Sequence, residues 1–309
     1  MRLLVVGTGG VGGYYGARLA DAGNDVRFIA RGANLEALRR NGLELRSDFG
    51  DLRLPSVEAG ETADGRSDAV LVCVKTYDSD SAAKAMADAV GEGTTICSLQ
   101  NGVDNEVFFT ERFPRATVIA GTTRIVAWLE EPGVIEQRGP DVTVTLAAFD
   151  AADTGAAQGL HDALAAAKVP VHLSPDANTI LWLKLAGIAS VGTLTAYGRC
   201  TISQVLADPD LAKLMSDVCG EVDAVARAKG VSLPEGMCET ILGYARAMPE
   251  EFNSSMARDL EAGRPLEIES ITGAVVAAGE RAGIPTPANR RILDDLLPLH
   301  RTAMAARGS

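Results

Sequence analysis

Leu3-Leu4-Val5-Val6, then Gly7-Thr8-Gly9-Gly10-Val11-Gly12-Gly13, then Tyr14-Tyr15-Gly16-Ala17-Arg18-Leu19-Ala20 is the stretch that decides the fold: an apolar strand, a glycine loop and the start of a helix. Gly7, Gly9 and Gly12 form a G-x-G-x-x-G set. Glycine here lets the chain turn tightly and lets backbone N–H groups approach a pyrophosphate at the positive end of the following helix, where a β-carbon would block contact. Glycine turns are common, and this one is informative because a strand precedes it and a helix follows. A ligand-free strand-to-helix turn would account for Gly7 but not for three glycines at this spacing. A dinucleotide site is therefore expected over Gly7, Thr8, Gly9, Gly10, Val11 and Gly12.

The composition narrows what surrounds that loop. A chain of 309 residues can hold one large or two ordinary domains. Its 47% hydrophobic and 23% charged residues are near the average for globular proteins. No run approaches the roughly 18 uninterrupted apolar residues that span a bilayer. Met1-Arg2-Leu3 enters the first strand at once, which leaves no room for a signal peptide, so a cytoplasmic protein is expected. The formal charge of −12 argues against general affinity for nucleic acid or an anionic membrane surface. Cys73, Cys97, Cys200, Cys219 and Cys238 show no C-x-x-C spacing and read as buried thiols. His161, His172 and His300 sit near no acidic or cysteine cluster, so no metal site is expected.

Up to about residue 170, short β-rich runs alternate with helical patterns, the signature of a doubly wound parallel sheet. The expected strands are Leu3–Val6, Asp25–Ala30, Ala69–Val74, Thr94–Ser98 and Thr117–Ala120, each too uniformly apolar to have a solvated face. Arg124–Leu129, Gly133–Gln137 and Val142–Ala147 read as antiparallel strands closing the sheet edge, with Val169–Leu173 as a last strand. From Asn178 onward the pattern is helical: Thr179–Ala196, Asp208–Lys229, Glu267–Ala282 and Ala288–Ala306. The expected fold class is α/β with an all-α C-terminal domain, divided as residues 1–173 and 174–309. The apolar face along Ile188, Val191 and Leu194 fits either core or a homodimer contact.

A strand-end carboxylate about 20 residues past the glycine loop usually holds the ribose of NAD. Here the second strand ends in Arg31, whose guanidinium suits the 2′-phosphate of NADP. NADP(H) is therefore expected. Lys75 follows the strand ending at Val74, and Asn101-Gly102 follows the one ending at Ser98. The carboxyl ends of strands in an open parallel sheet face the ligand crevice, which places both among the expected binding residues. Asn-Gly is also a favoured turn pair, so for Asn101 both readings stand.

With these residues, Gly121-Thr122-Thr123 and an all-helical second half, the chain resembles the ketopantoate reductases (2-dehydropantoate 2-reductases) over nearly its whole length. The resemblance implies a Rossmann-type N-terminal domain and NADPH-dependent reduction of the 2-dehydropantoate ketone to pantoate, a precursor of pantothenate and coenzyme A. It places the cofactor-phosphate arginine on Arg31, the crevice lysine and asparagine on Lys75 and Asn101, and the catalytic lysine on Lys184 in Trp182-Leu183-Lys184-Leu185. It also places the Ser-Ser-Met segment on Ser254-Ser255-Met256 and a functional glutamate on Glu267. Lys184 would be the general acid, Glu267 would act beside it and accept a substrate hydroxyl, and Ser255 and Asn101 would bind substrate. From the residues alone, Lys184 also reads as a lysine snorkelling from an apolar helix, Glu267 as a helix-start carboxylate rivalled by Glu269, and Ser255 as a cap.

One departure bears on the substrate. Pantoate-making relatives usually present asparagines four and eight residues after the lysine, where this chain has Ile188 and Gly192. Neither side chain can hydrogen-bond, although Ser190 and Thr193 on nearby faces carry hydroxyls. The alternatives are a less hydroxylated 2-keto acid on the same scaffold, or an NADP(H)-binding sensor without catalysis.

Overall fold

The computed structural model describes residues 1–307. Its strands are β1 (Arg2–Val6), β2 (Asp25–Ile29), β3 (Leu43–Ser47), β4 (Leu52–Leu54), β5 (Glu58–Gly60), β6 (Ala69–Val72), β7 (Thr95–Ser98), β8 (Thr117–Arg124), β9 (Ala127–Glu131), β10 (Val134–Gln137), β11 (Thr143–Ala147) and β12 (Val171–Leu173). Eight form one sheet in the order β12-β11-β8-β7-β6-β1-β2-β5. Every neighbouring pair in it is parallel except β8 with β11. The central strands explain their own lack of polar alternation. Leu3 and Val5 of β1, with Ala69 and Leu71 of β6, enter one hydrophobic cluster, while Leu4, Val6, Val70 and Val72 enter another on the opposite face. Both faces being covered, successive residues must all be apolar.

The expected edge closure is only partly realised. Of the three strands assigned to it, only β11 joins the main sheet, pairing antiparallel with β8. β9 and β10 leave it for a second, four-stranded sheet in the order β4-β3-β10-β9. The cause lies in the helix after the glycine loop, Gly10–Asp21. A β-carbon on Gly10 would lie 2.4 Å from the Ala127 carbonyl, and one on Gly13 would lie 2.5 Å from the Ile135 side chain. β9 and β10 thus pack directly on this helix. β3 and β4 fill out the small sheet, with Leu43, Leu45 and Ser47 buried and Glu44 and Arg46 half-exposed, a period-two pattern.

Contacts divide the chain into two compact units, one of residues 1–100 and 105–180, the other of residues 101–104 and 181–309. This differs from a single cut after residue 173: the break falls inside a helix, and a four-residue piece of the N-terminal half groups with the helices. The helix in which the break falls, Ala177–Gly198, is continuous and long and apolar enough to cross a bilayer, but 67% of its most apolar window is buried. Val191 and Leu194 belong to the core of the helical unit, and Ile188 packs against it. Helix Pro209–Ala228 begins as its sequence asks, with the Asp208 carboxylate accepting from the Asp210 and Leu211 N–H groups and proline at the first turn. Leu214, Val218, Val222 and Val225 form its buried face.

The Gly10 contact is testable. Gly10→Ala should destabilise the protein by about 1–3 kcal/mol through overpacking against immovable backbone, read as a lower urea midpoint with an unchanged slope.

Candidate functional site

The sheet unit carries the glycine loop, and its glycines serve different masters. Gly7 has φ +97, and a β-carbon there would strike Val74 at 2.6 Å. A β-carbon on Gly12 would lie 2.2 Å from the Gly7 carbonyl oxygen, so close packing of helix on strand forbids it. Gly9 is the exception: nothing lies within 4 Å of the position its β-carbon would take. No protein contact demands glycine there, and the open space is what a pyrophosphate would occupy. The first intrahelical bond, from Gly13 N–H to the Gly9 carbonyl at 2.7 Å, leaves the amides of Gly10, Val11 and Gly12 without helical acceptors. The first turn holds no acidic side chain to neutralise them. These residues fit a dinucleotide phosphate.

The loop is bolted down. Gly7 and Thr8 N–H groups donate to the Ile29 carbonyl at 3.1 and 3.2 Å, and the buried Thr8 hydroxyl donates to it at 3.0 Å. Both the N–H and the hydroxyl proton of Thr8 are therefore spent on holding the loop rather than offered to a ligand. Asn34 Nδ2 donates to the Thr8 carbonyl at 2.8 Å, while Asn34 Oδ1 accepts from Gly133 N–H at 2.8 Å. Sequence reading passed over Asn34; its one signal is an amide three residues after Arg31. Arg31 is extended and exposed immediately before helix Gly32–Asn41, and its guanidinium makes no ion pair or hydrogen bond among the described residues. Lys75, half-buried, follows Val74 directly and so leaves the sheet beside Gly7. Burial pushes the nearby Cys73 thiol up to about 12, which makes it inert.

The helical unit gathers the remaining candidates. The turn at Asn101-Gly102 has Gly102 at φ +116, and Asn101 Nδ2 donates to Glu267 Oε2 at 3.2 Å. Asn101 is thus both a turn residue and a partner of Glu267, which is 6% exposed. Lys184 stands in the last turn of Ala177–Gly187, half-buried, just before the helix widens into a π segment at Ile188–Gly192. Glu267 stands two residues before a second π segment, Glu269–Gly273, and the two segments touch. Helix Ser255–Glu261 also packs on Ile188–Gly192. π turns are rare and often mark functional positions.

The two serines divide their roles. Ser254 is the cap, accepting from Ala257 N–H at 3.1 Å and from the Thr195 hydroxyl at 2.8 Å while donating to the Gly192 carbonyl at 2.7 Å. Ser255 is left exposed, with no side-chain hydrogen bond among the described residues. The hydroxyls offered in place of polar groups at 188 and 192 do not serve. Ser190 and Thr193 are fully buried, and their hydroxyls turn back to the carbonyls of Ala186 and Ile188 at 2.6 and 3.3 Å. Among the described residues no group of three or more His, Cys, Asp or Glu side chains is placed to hold a metal.

Comparison with known proteins places the chain in a family. The family model described as ketopantoate reductase PanE/ApbA matches residues 3–151, and its C-terminal counterpart matches residues 176–298. A 2-dehydropantoate 2-reductase from Archaeoglobus fulgidus is 31% identical over 95% of this chain and 96% of its own. One from Mesorhizobium japonicum is 30% identical over 100% of this chain and 99% of its own. A crystal structure of a PanE/ApbA family ketopantoate reductase from Ralstonia eutropha superimposes with a TM-score of 0.90 at 32% identity, covering 98% of this chain and all of that one.

The open space at Gly9 separates ligand binding from stability. Gly9→Ala should leave the thermal midpoint within about 2 °C of wild type while weakening dinucleotide affinity at least tenfold, as a methyl group displaces the pyrophosphate; fluorescence titration with NADPH reads the change.

Proposed function

The chain belongs to the ketopantoate reductase family of oxidoreductases, and from that premise we propose that it reduces the C2 ketone of 2-dehydropantoate to pantoate with NADPH. In that reading it acts in the cytoplasm and supplies pantothenate and coenzyme A biosynthesis. The observation that carries the reading is the Asn101–Glu267 hydrogen bond, which joins two site candidates in the same unit as Lys184.

The reduction needs two kinds of group, and each unit carries one kind. In the sheet unit, the amides around Gly9 would hold the pyrophosphate, Arg31 the 2′-phosphate and Lys75 the neighbouring anionic charge. When bound, the nicotinamide supplies the hydride that C2 of the substrate receives. In the helical unit, Lys184 Nζ gives a proton to the oxygen of that carbon, so the ketone gains one hydride and one proton and leaves as an alcohol. The ammonium also opposes the negative charge that grows on the oxygen before the proton arrives. Glu267, fixed by Asn101, accepts a hydrogen bond from a substrate hydroxyl. The unspent Ser255 hydroxyl donates to the substrate carboxylate, and Asn101 joins it in binding.

A second reading changes only the substrate. On the lysine's helix, Ile188 and Gly192 offer no side-chain hydrogen bond, and the Ser190 and Thr193 hydroxyls are committed to helix carbonyls. In this reading the substrate is a less hydroxylated 2-keto acid. Comparing kcat/KM on 2-dehydropantoate with a branched 2-keto acid lacking the hydroxyl decides it: a preference of about tenfold or more for either compound selects its reading.

Two substitutions test the chemistry. Lys184→Ala should lower kcat about 10² to 10⁴-fold while NADPH still binds, followed by loss of NADPH absorbance. Arg31→Ala should raise KM for NADPH about tenfold or more and leave KM for NADH nearly unchanged, because only the 2′-phosphate loses a partner.

A further inference from the structure

Asn101 holds the Glu267 carboxylate, and a different group holds its backbone. The preceding residue, Leu266, donates its N–H to His300 Nδ1 at 3.1 Å. His300 belongs to helix Pro287–Arg307 and is 4% exposed. A ring nitrogen that accepts carries no proton, so the proton of the neutral ring sits on Nε2. Nε2 lies 3.6 Å from Glu269 Oε2, two residues past Glu267. One imidazole therefore meets the chain just before Glu267 and just after it. Leu266 and Ile268, on either side of Glu267, are buried in the core of the helical unit, so this turn has few other ways to settle.

Resting on the role given to Glu267 above, we infer that His300 is a positioning residue: its neutral ring clamps the Leu266–Glu269 turn and so sets the Glu267 carboxylate where substrate meets it. The groups that face the ring include the Leu266 amide, Glu269 from the π segment and Arg301 from its own helix. Burial holds the imidazole below its ordinary value of 6.5, with Glu269 opposing and Arg301 reinforcing the shift. Glu269 is a weak counterweight, because its side chain is 61% exposed and screened by water. The folded protein thus favours the neutral ring. Its contribution is complete above 6.5 and is lost as pH falls below that value. Protonation converts Nδ1 from acceptor to donor, sets it against the Leu266 N–H and opens the clamp.

The test uses the full chain with 2-dehydropantoate and NADPH across about pH 5 to 8, in wild type, His300→Gln and His300→Leu. Glutamine offers an amide oxygen to the Leu266 N–H and does not titrate; leucine offers nothing. At the alkaline end, H300Q should keep kcat/KM within about threefold of wild type and H300L should lose about tenfold or more, since small misplacements of a reacting group are costly. The acid limb of H300Q should shift to lower pH. Hydrogen exchange at the Leu266 amide should be slow in wild type and H300Q and fast in H300L. Wild-type kcat/KM in folded H300L, an unmoved acid limb in H300Q, or slow Leu266 exchange in H300L overturns the inference. If H300L does not fold, the H300Q profile alone decides. Glu267→Gln separates this inference from the reading beneath it: full activity in E267Q removes the role of Glu267, whereas an inactive E267Q beside an unimpaired H300L removes only that of His300.

Discussion

Helix Gly10–Asp21 approaches its neighbours more closely than any side chain permits, and the sheet unit is arranged around that approach. Gly12 meets the turn at the Gly7 carbonyl, Gly16 meets the Phe28 ring of β2, and Gly10 and Gly13 meet β9 and β10. With strands on several sides and no side chains between, the helix has little freedom to tilt or slide, because packed interiors yield very little. The amides at its start, and the loop that Thr8 ties to Ile29 and Asn34 ties to Gly133, are therefore fixed before any ligand arrives. A site fixed in advance avoids the entropy of ordering itself on binding.

The same crowding shows what the sequence could reveal. The strand, loop and helix of residues 3–20 were legible because each glycine of the G-x-G-x-x-G set has a local cause and the flanking periodicities change at the loop. The apolar uniformity of β1 and β6 was legible as burial on two faces. The destination of β9 and β10 was not. Their alternation announces strands but not which sheet receives them, and the deciding contacts, with Gly10 and Gly13, lie over a hundred residues away along the chain. Those two glycines sit inside a run that reads as one binding motif, although they answer to packing. β3 was missed for a similar reason: its pattern is only five residues long and its parallel partner is β10.

In the helical unit, the candidate residues were legible through family resemblance more than through physics. Lys184 and Ser255 are ordinary residues for an apolar helix and a helix start. Their setting becomes distinctive only through the two touching π segments, and nothing in apolar spacing at 3.6 residues per turn announces a turn with one residue more. Ser254 and Ser255 could not be told apart as candidates for the cap until the Ala257 amide and the Gly192 carbonyl were seen to engage the first. His300 passed as an isolated histidine because the group that donates to its Nδ1 is a backbone amide, which leaves no mark in sequence.

The helical unit is not a continuous stretch of chain. Its four-residue contribution, 101–104, is flanked on both sides by residues of the sheet unit, and the contact between Asn101 and Glu267 spans 166 positions. Contacts that distant close large loops and form late. During synthesis, Asn101 leaves the ribosome long before Glu267 has been translated, so the growing chain can order its first strands while its carboxylate site does not yet exist. A gene fragment beginning at residue 181 would encode Lys184 and Glu267 yet lack Asn101. The Asn101–Glu267 contact is in this sense a late acquisition of the nascent polypeptide, and neither half of the gene alone encodes it.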